Sequence, residues 1–308
     1  MTLPAEYLTY PYRRPGMDHD RYTASNLFER KPVAWPGGAR VALWIVPALE
    51  FFPLDMIGKP FMAPGGLGRG YPDYWNYTLR DYGNRVGVFR VFQALDERGL
   101  KASVALNSRV AERYPFLVDE ITRRGWEIVG HGVDMGRLHY GGQPLDEERG
   151  LMQEALATLR KLSGQGVTGW FSPAYSESMN TLDLVAAEGV RYVCDWVMDD
   201  LPVPVRTSSG EIHTMPHAWE LSDLQLILNN RHDTGEFAAE VVDYFRAIYR
   251  EAGRSGGRIM ALSLHPWLIG VPHRIAALET ILDRITHHAG VVTKLTRRHT
   301  PTGFRSRA

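Results

Sequence analysis

From residue 40 onward, short apolar runs alternate with longer segments in which apolar residues recur every three to four positions. Arg40-Val-Ala-Leu-Trp-Ile-Val-Pro47 reads as a buried strand, and so does Arg258-Ile-Met-Ala-Leu-Ser-Leu264. Between them the pattern predicts strands at Ala102–Leu106, Glu127–Val129, Val167–Phe171, Arg191–Cys194 and Ile212–Met215. Helices are predicted at about Val86–Arg98, Pro115–Arg124, Asp146–Ser163, Thr181–Glu188, Phe237–Ala252 and His273–His288, several stopped by a glycine such as Gly99, Gly125 or Gly189. Leu151, Ala155, Leu156, Leu159 and Leu162 form one apolar face of the long Asp146–Ser163 helix. Seven or eight strands alternating with helices predict an α/β fold with a mostly parallel sheet, most naturally a (β/α) barrel in a single domain.

Three stretches fall outside the alternation. Residues 1–38, rich in Tyr, Pro and Arg, suggest an extended N-terminal arm over a barrel domain spanning 39–294, and 295–308 reads as a solvated tail. From Phe51 to Asn84 run glycines, prolines and aromatics, a loop long enough to form a lid or pocket wall. The arm and this aromatic loop favour a homo-oligomer.

The residue just past each strand carries the candidate chemistry: Glu50, Asn107, His131, Ser172-Pro173, Asp195 and His265. In a (β/α) barrel these positions share the C-terminal rim, where catalytic groups gather. His131 stands between Gly130 and Gly132, which let the backbone bend and another group approach closely. Each of these residues could instead cap a turn, but two histidines and two carboxylates at four strand ends point to proton transfer. A carboxylate can deprotonate water while an imidazole protonates a leaving nitrogen. There is no Gly-x-Ser-x-Gly elbow, no phosphate-binding glycine motif at a strand–helix junction, and Cys194 lies inside a strand, so activated water is preferred to a covalent intermediate.

Composition narrows the classes. The formal charge is zero, from 35 basic and 35 acidic residues, which disfavours nucleic acid or another polyanion as partner. A single cysteine excludes an internal disulfide and a multi-cysteine zinc site. The first thirty residues lack a signal-peptide pattern, and the apolar run Val41–Leu49 is too short to span a bilayer; a cytoplasmic protein that meets neither membrane nor nucleic acid is expected.

Four motifs add a resemblance. Arg80-Asp-Tyr-Gly-Asn-Arg85-Val-Gly, Gly130-His131-Gly, Tyr192-Val-Cys-Asp195-Trp-Val-Met-Asp199-Asp200-Leu-Pro and Leu264-His265-Pro-Trp-Leu-Ile-Gly270 together resemble the polysaccharide deacetylase (NodB-homology) superfamily, and within it the branch of metal-independent allantoinases and cyclic imidases. The resemblance spans about residues 35–290 and implies a distorted (β/α) barrel and hydrolysis of a non-peptide amide. Where that family places a pair of aspartates, this chain has Leu49 and Glu50; where metal-binding members place a second histidine, it has Met135, a poor ligand for zinc-like ions; in place of the family arginine stands Phe171-Ser172.

The resemblance therefore implies a hydrolase with no cofactor, acting on a small imide, ureide or linear amide. Glu50 and His131 would activate water, His265 would protonate the leaving nitrogen or stabilise the oxyanion, and Asp195 would orient His265. Arg85, Asn107, Asp199, Asp200, Tyr82 and Trp267 are the candidate substrate contacts, with an ion pair to Asp81 the structural alternative for Arg85. Should a divalent metal such as zinc bind, Glu50, His131 and His139 would be its ligands. A metal-dependent deacetylase of an N-acetylated sugar and a silent ligand-binding member are the rival readings.

Overall fold

The structure, a computed structural model, describes residues 19–27, 29–54, 72 and 74–293. Most of the expected arm, the centre of the 51–84 loop and the 295–308 tail lie outside the described residues.

Strand β1 (Val41–Leu49) is followed by α1 (Tyr74–Tyr82) and α2 (Val88–Asp96), which are joined by the π-helical turn Gly83–Gly87. Then come β2 (Ser103–Leu106), α3 (Ser108–Arg113), α4 (Pro115–Arg123), β3 (Glu127–Gly130), α5 (Leu145–Ser163), β4 (Gly169–Trp170), α6 (Thr181–Ala187) and β5 (Tyr192–Val193). A hairpin of β6 (Val203–Thr207) and β7 (Gly210–Thr214) precedes α7 (Thr234–Ser255), β8 (Arg258–Leu264), α8 (Pro266–Ile269), α9 (Ile275–Thr286) and β9 (Val291–Val292).

The strands lie in the order β6-β7-β5-β4-β3-β2-β1-β8, with β9 beside the start of β1. Every pairing is parallel except β6 with β7. The result is a distorted, incompletely closed (β/α) barrel: among the described residues no strand pairing joins β8 to β6 or β7. Residues 215–233, with a 3-10 turn at Trp219–Leu221 and a π-helical turn at Leu224–Asn229, reach the end of β8 through Asp223.

Strand periodicity explains how β1 serves two layers. Val41, Leu43, Ile45 and Leu49 pack outward among the helices, whereas Ala42, Trp44, Val46 and Ala48 face the interior with Ala105, Val129, Phe171, Tyr192, Cys194 and Met215. Cys194 is thus core, as the sequence suggested. No helix among the described residues is long and apolar enough to cross a membrane.

One element departs from the pattern-based expectation in a way that matters for the site. The helix predicted to begin near Val86 begins at Tyr74, inside the glycine- and aromatic-rich stretch. Its aromatic and glycine content conceals a helix built for close approach. A Cβ on Gly83 would sit 2.6 Å from Trp267 N, and one on Gly87 would sit 2.1 Å from Pro266 O. Only glycine lets the π-turn lie directly on the backbone that follows His265.

Candidate active site

Glu50 leaves β1 at the rim. Its backbone carbonyl accepts from Asn84 Nδ2 at 2.9 Å, so the helix turn seated on Trp267 also fixes where the carboxylate begins. The side chain is buried at 8% exposure, and Oε2 accepts from Trp267 Nε1 at 3.4 Å. Oε1 lies 3.7 Å from His131 Nε2 and 3.9 Å from His265 Nε2. Burial alone would push the Glu50 carboxyl up, but neighbouring positive charge, from His265 first, outweighs it and holds the carboxyl below its ordinary range. Arg80, itself buried, stacks its guanidinium 4.4 Å over Phe52 and 4.6 Å over Trp267. It bonds Asn76 Oδ1 at 2.7 Å. An ionised carboxylate is thus maintained in a nearly dry place.

His131 follows β3. Its Nδ1 meets the Phe171 carbonyl at 2.7 Å and its ring stacks on Phe171 at 4.4 Å, so Nδ1 carries the proton and Nε2 turns toward Glu50. The turn it sits on needs Gly132, whose φ is +66° and whose Cβ would fall 2.4 Å from Pro173. Phe171 therefore acts as the wall that orients His131.

His265 follows β8, but its partner is not the one the sequence suggested. Asp223, from the 215–233 segment, accepts the His265 backbone N–H at 2.8 Å and faces Nδ1 at 2.7 Å. Burial works against the imidazolium, yet Asp223 and Glu50 prevail and raise His265 above its ordinary 6.5. Asp195 is instead bound to Ser172, through its N–H at 2.9 Å and its hydroxyl at 3.0 Å. Desolvation raises Asp195 to about 7, against those two bonds. The expectation that Asp195 orients His265 is corrected: at the end of β5 its carboxyl is committed to the β4 turn.

Other expected contacts resolve as follows. Trp267 lines the site against Glu50. Asn107 spans strand ends: its Oδ1 accepts Phe51 N–H at 2.8 Å and its Nδ2 bonds the His131 carbonyl, which makes it a backbone strut rather than a substrate contact. Tyr82 is tied to Arg90 Nη1 at 2.6 Å. Arg85 is exposed, and Asp81, its expected ionic partner, accepts the Tyr114 hydroxyl. Asp199 pairs with Arg30 and accepts Leu201 N–H at 3.0 Å, which makes it a turn cap. Asp200 pairs with Arg258 Nε at 3.6 Å, at the start of β8, roughly 20 Å of strand from His265. As a substrate contact, Asp200 is excluded by that separation.

Pattern reasoning missed Asp223 and also His217, which is fully buried with Nδ1 2.7 Å from the Tyr175 hydroxyl. His217 carries the same signal as the other rim residues, since it lies just past β7. Asp223 follows no strand, and its sequence neighbourhood carries no signal.

The donor set does not fit a zinc-like ion held as in the metal-binding members. Met135 is packed with Phe52, with its N–H given to Phe51 O at 2.9 Å, and Leu49 faces the helices. His139 lies against Glu148, Nδ1 3.7 Å from Oε1, and not beside Glu50; burial drives it down to about 4. The ligand set Glu50, His131 and His139 is thereby contradicted. Among the described residues no three His, Cys, Asp or Glu side chains are grouped to hold a metal ion.

Residues 77–193, which contribute the π-turn, His131 and the β4 wall, match the polysaccharide deacetylase family model. Over this stretch the chain is similar to a polysaccharide deacetylase domain. Around it the likeness extends further. A Schizosaccharomyces pombe protein assigned to the polysaccharide deacetylases is 22% identical over 292 residues, covering 85% of this chain and 90% of that one. The crystal structure of Puue allantoinase superposes with a TM-score of 0.76 at 25% identity, over 90% of this chain and 95% of its own. The probable polysaccharide deacetylase of Pseudomonas aeruginosa PAO1 gives a TM-score of 0.74 at 25% identity, over 88% and 95%.

Proposed function

We propose that the chain hydrolyses a carbon–nitrogen bond in a small cyclic or linear amide, such as an imide or a ureide like allantoin, using activated water. One observation carries this reading. An ionised Glu50 and a His265 biased toward its protonated form converge within 3.9 Å in a buried rim site, the second held by Asp223. These are the two protonation states that amide hydrolysis needs at the start.

The Nε2 lone pair of His131 and the carboxylate of Glu50 are both acceptors, so a water placed off the line between them donates to both and is aimed by both. Glu50 takes one proton as the water oxygen attacks the carbonyl carbon. His265 Nε2 gives its proton to the leaving nitrogen as the carbon–nitrogen bond breaks. The proton on Glu50 then returns to His265. Water and amide become a carboxylic acid and an amine or ring-opened amide, with no group left on the protein. Likeness to an allantoinase structure over nearly the whole chain is what brings ureides and imides into the reading beside N-acetylated sugars.

The test is a hydrolysis screen of allantoin, hydantoins, cyclic imides and N-acetylated amino sugars. Turnover that survives chelator and is abolished by Glu50→Gln and His265→Ala supports the reading. Activity restored only by zinc would replace it with metal-dependent deacetylation. Saturable binding with no turnover would show a silent member.

A further inference from the structure

Beyond Glu50, His131 and His265, the rim holds one more imidazole that the reaction above does not use. His217 follows β7 and is fully buried, and its ring lies 4.7 Å from the Phe171 ring on which His131 stacks. Trp44, from the barrel interior, packs against it at 5.8 Å. Its Nδ1 is engaged by Tyr175, and its Nε2 is buried with no hydrogen-bond partner among the described residues. A buried polar atom left without a partner beside a reaction site is costly unless something transient completes it.

The other half of the pair is set up at a cost. Ala174 and Tyr175 both adopt left-handed backbone, at φ of 56° and 55°, without being glycine. That strained turn after Ser172-Pro173 delivers the Tyr175 hydroxyl to His217 Nδ1 at 2.7 Å, whereas the His217 carbonyl, the alternative acceptor, is 3.4 Å away. Burial keeps the phenol protonated by pushing it well above 10, so it has a proton to donate. Its shorter bond is to Nδ1. A neutral imidazole that accepts at Nδ1 must carry its proton on Nε2.

We propose that His217 is a further catalytic residue, whose Nε2–H binds the substrate carbonyl oxygen and the oxyanion formed on it, with Tyr175 as the positioning residue that fixes the donating tautomer. This rests on the amide-hydrolysis reading. Burial first, then the neighbouring His265, push His217 down to about 3, so the ring donates this hydrogen bond as a neutral group across the working pH range. The division of labour follows: His265 supplies the mobile proton, while His217 supplies a fixed dipole that gains strength as charge develops on the oxygen. No proton leaves His217 during the cycle.

The decisive measurement is a long-range 1H–15N spectrum of the 15N-labelled full chain between pH 5 and 8. His217 protonated only at Nε2 throughout, with a mixed tautomer in Tyr175→Phe, is the expected result; a proton on Nδ1 in the unsubstituted protein overturns the proposal. On any amide turned over in the screen, His217→Leu is expected to lower kcat by about 10²- to 10³-fold with KM little changed. His217→Gln, whose amide N–H can stand in for Nε2–H, is expected to recover most of that loss. Equal losses in the two variants would overturn the donor role. If no amide is turned over, the hydrolase reading fails separately, and the spectrum still decides whether Nε2–H is offered to the site.

Discussion

Asp223→Asn isolates the feature on which the proton donor depends. The carboxylate accepts two short bonds from one residue, His265 N–H at 2.8 Å and Nδ1 at 2.7 Å. An amide has one oxygen. If that oxygen stays on the backbone N–H, the new NH2 faces Nδ1 and drives the imidazole to the neutral tautomer with its proton on Nε2. A hydrogen bond to a charged group contributes about 1.5–3 kcal/mol, and one pKa unit is about 1.4 kcal/mol, so His265 should fall by roughly one to two units. In the unsubstituted protein His265 lies above its ordinary 6.5, and the acid is present below that raised value and lost as pH rises through it. The alkaline limb of kcat/KM in Asp223→Asn must therefore move to lower pH, with kcat down about 10²- to 10⁴-fold at its optimum. Initial rates from pH 4 to 9 and the 15N titration of His265 measure the two effects independently. Asp195→Asn is the control, since its carboxyl serves Ser172 and not His265. An unchanged alkaline limb and an unchanged His265 titration in Asp223→Asn would refute the reasoning.

The acid limb should be set by Glu50, held below its ordinary 4.5, so the rate stays high as pH falls until protons reach that depressed value. A pH–rate profile that declines already near 6 on the acid side would contradict this. Gly87→Ala should lose about 1–3 kcal/mol in urea unfolding and also lower kcat, because a Cβ 2.1 Å from Pro266 O must displace the backbone behind His265. Gly142→Ala, with nothing within 4 Å but a φ of +82°, is the comparison that carries backbone strain alone. His139, pushed from 6.5 to about 4, prefers its neutral form when folded. Its contribution is complete above 6.5 and is lost as pH falls toward 4, amounting to ~3 kcal/mol. Urea unfolding of the protein and of His139→Gln at pH 7 and pH 4 should show that difference.

The residues that could be read from the chain are those whose position follows from strand periodicity. β1 and β8 are continuous apolar runs, their ends are unambiguous, and they deliver Glu50 and His265 to the same rim. Gly130-His131-Gly announces its turn through local backbone chemistry. The rest depends on contacts between distant segments. Asp223 lies in a segment with no periodicity, so only the folded chain reveals that it, and not Asp195, holds His265. Asp199 and Asp200 stand together in sequence yet pair with Arg30 and Arg258, away from the chemistry. The helix start at Tyr74 was hidden because glycine and aromatic residues ordinarily mark a loop, and here they serve a close helix–backbone contact.

The open seam between β6 and β8 gives the barrel two kinds of inheritance. Glu50 and His131 are registered by parallel ladders running from β8 through β1 and β2 to β3, so no residue can be inserted there without shifting the pair. His217 and Asp223 belong to a segment that no strand pairing constrains. Its length and composition can drift without breaking a ladder, and with them the walls that decide which molecule fits. The water-activating half of the site is thus tied to the strand ladders, whereas Asp223 and His217 are held by side-chain contacts with His265 and Tyr175.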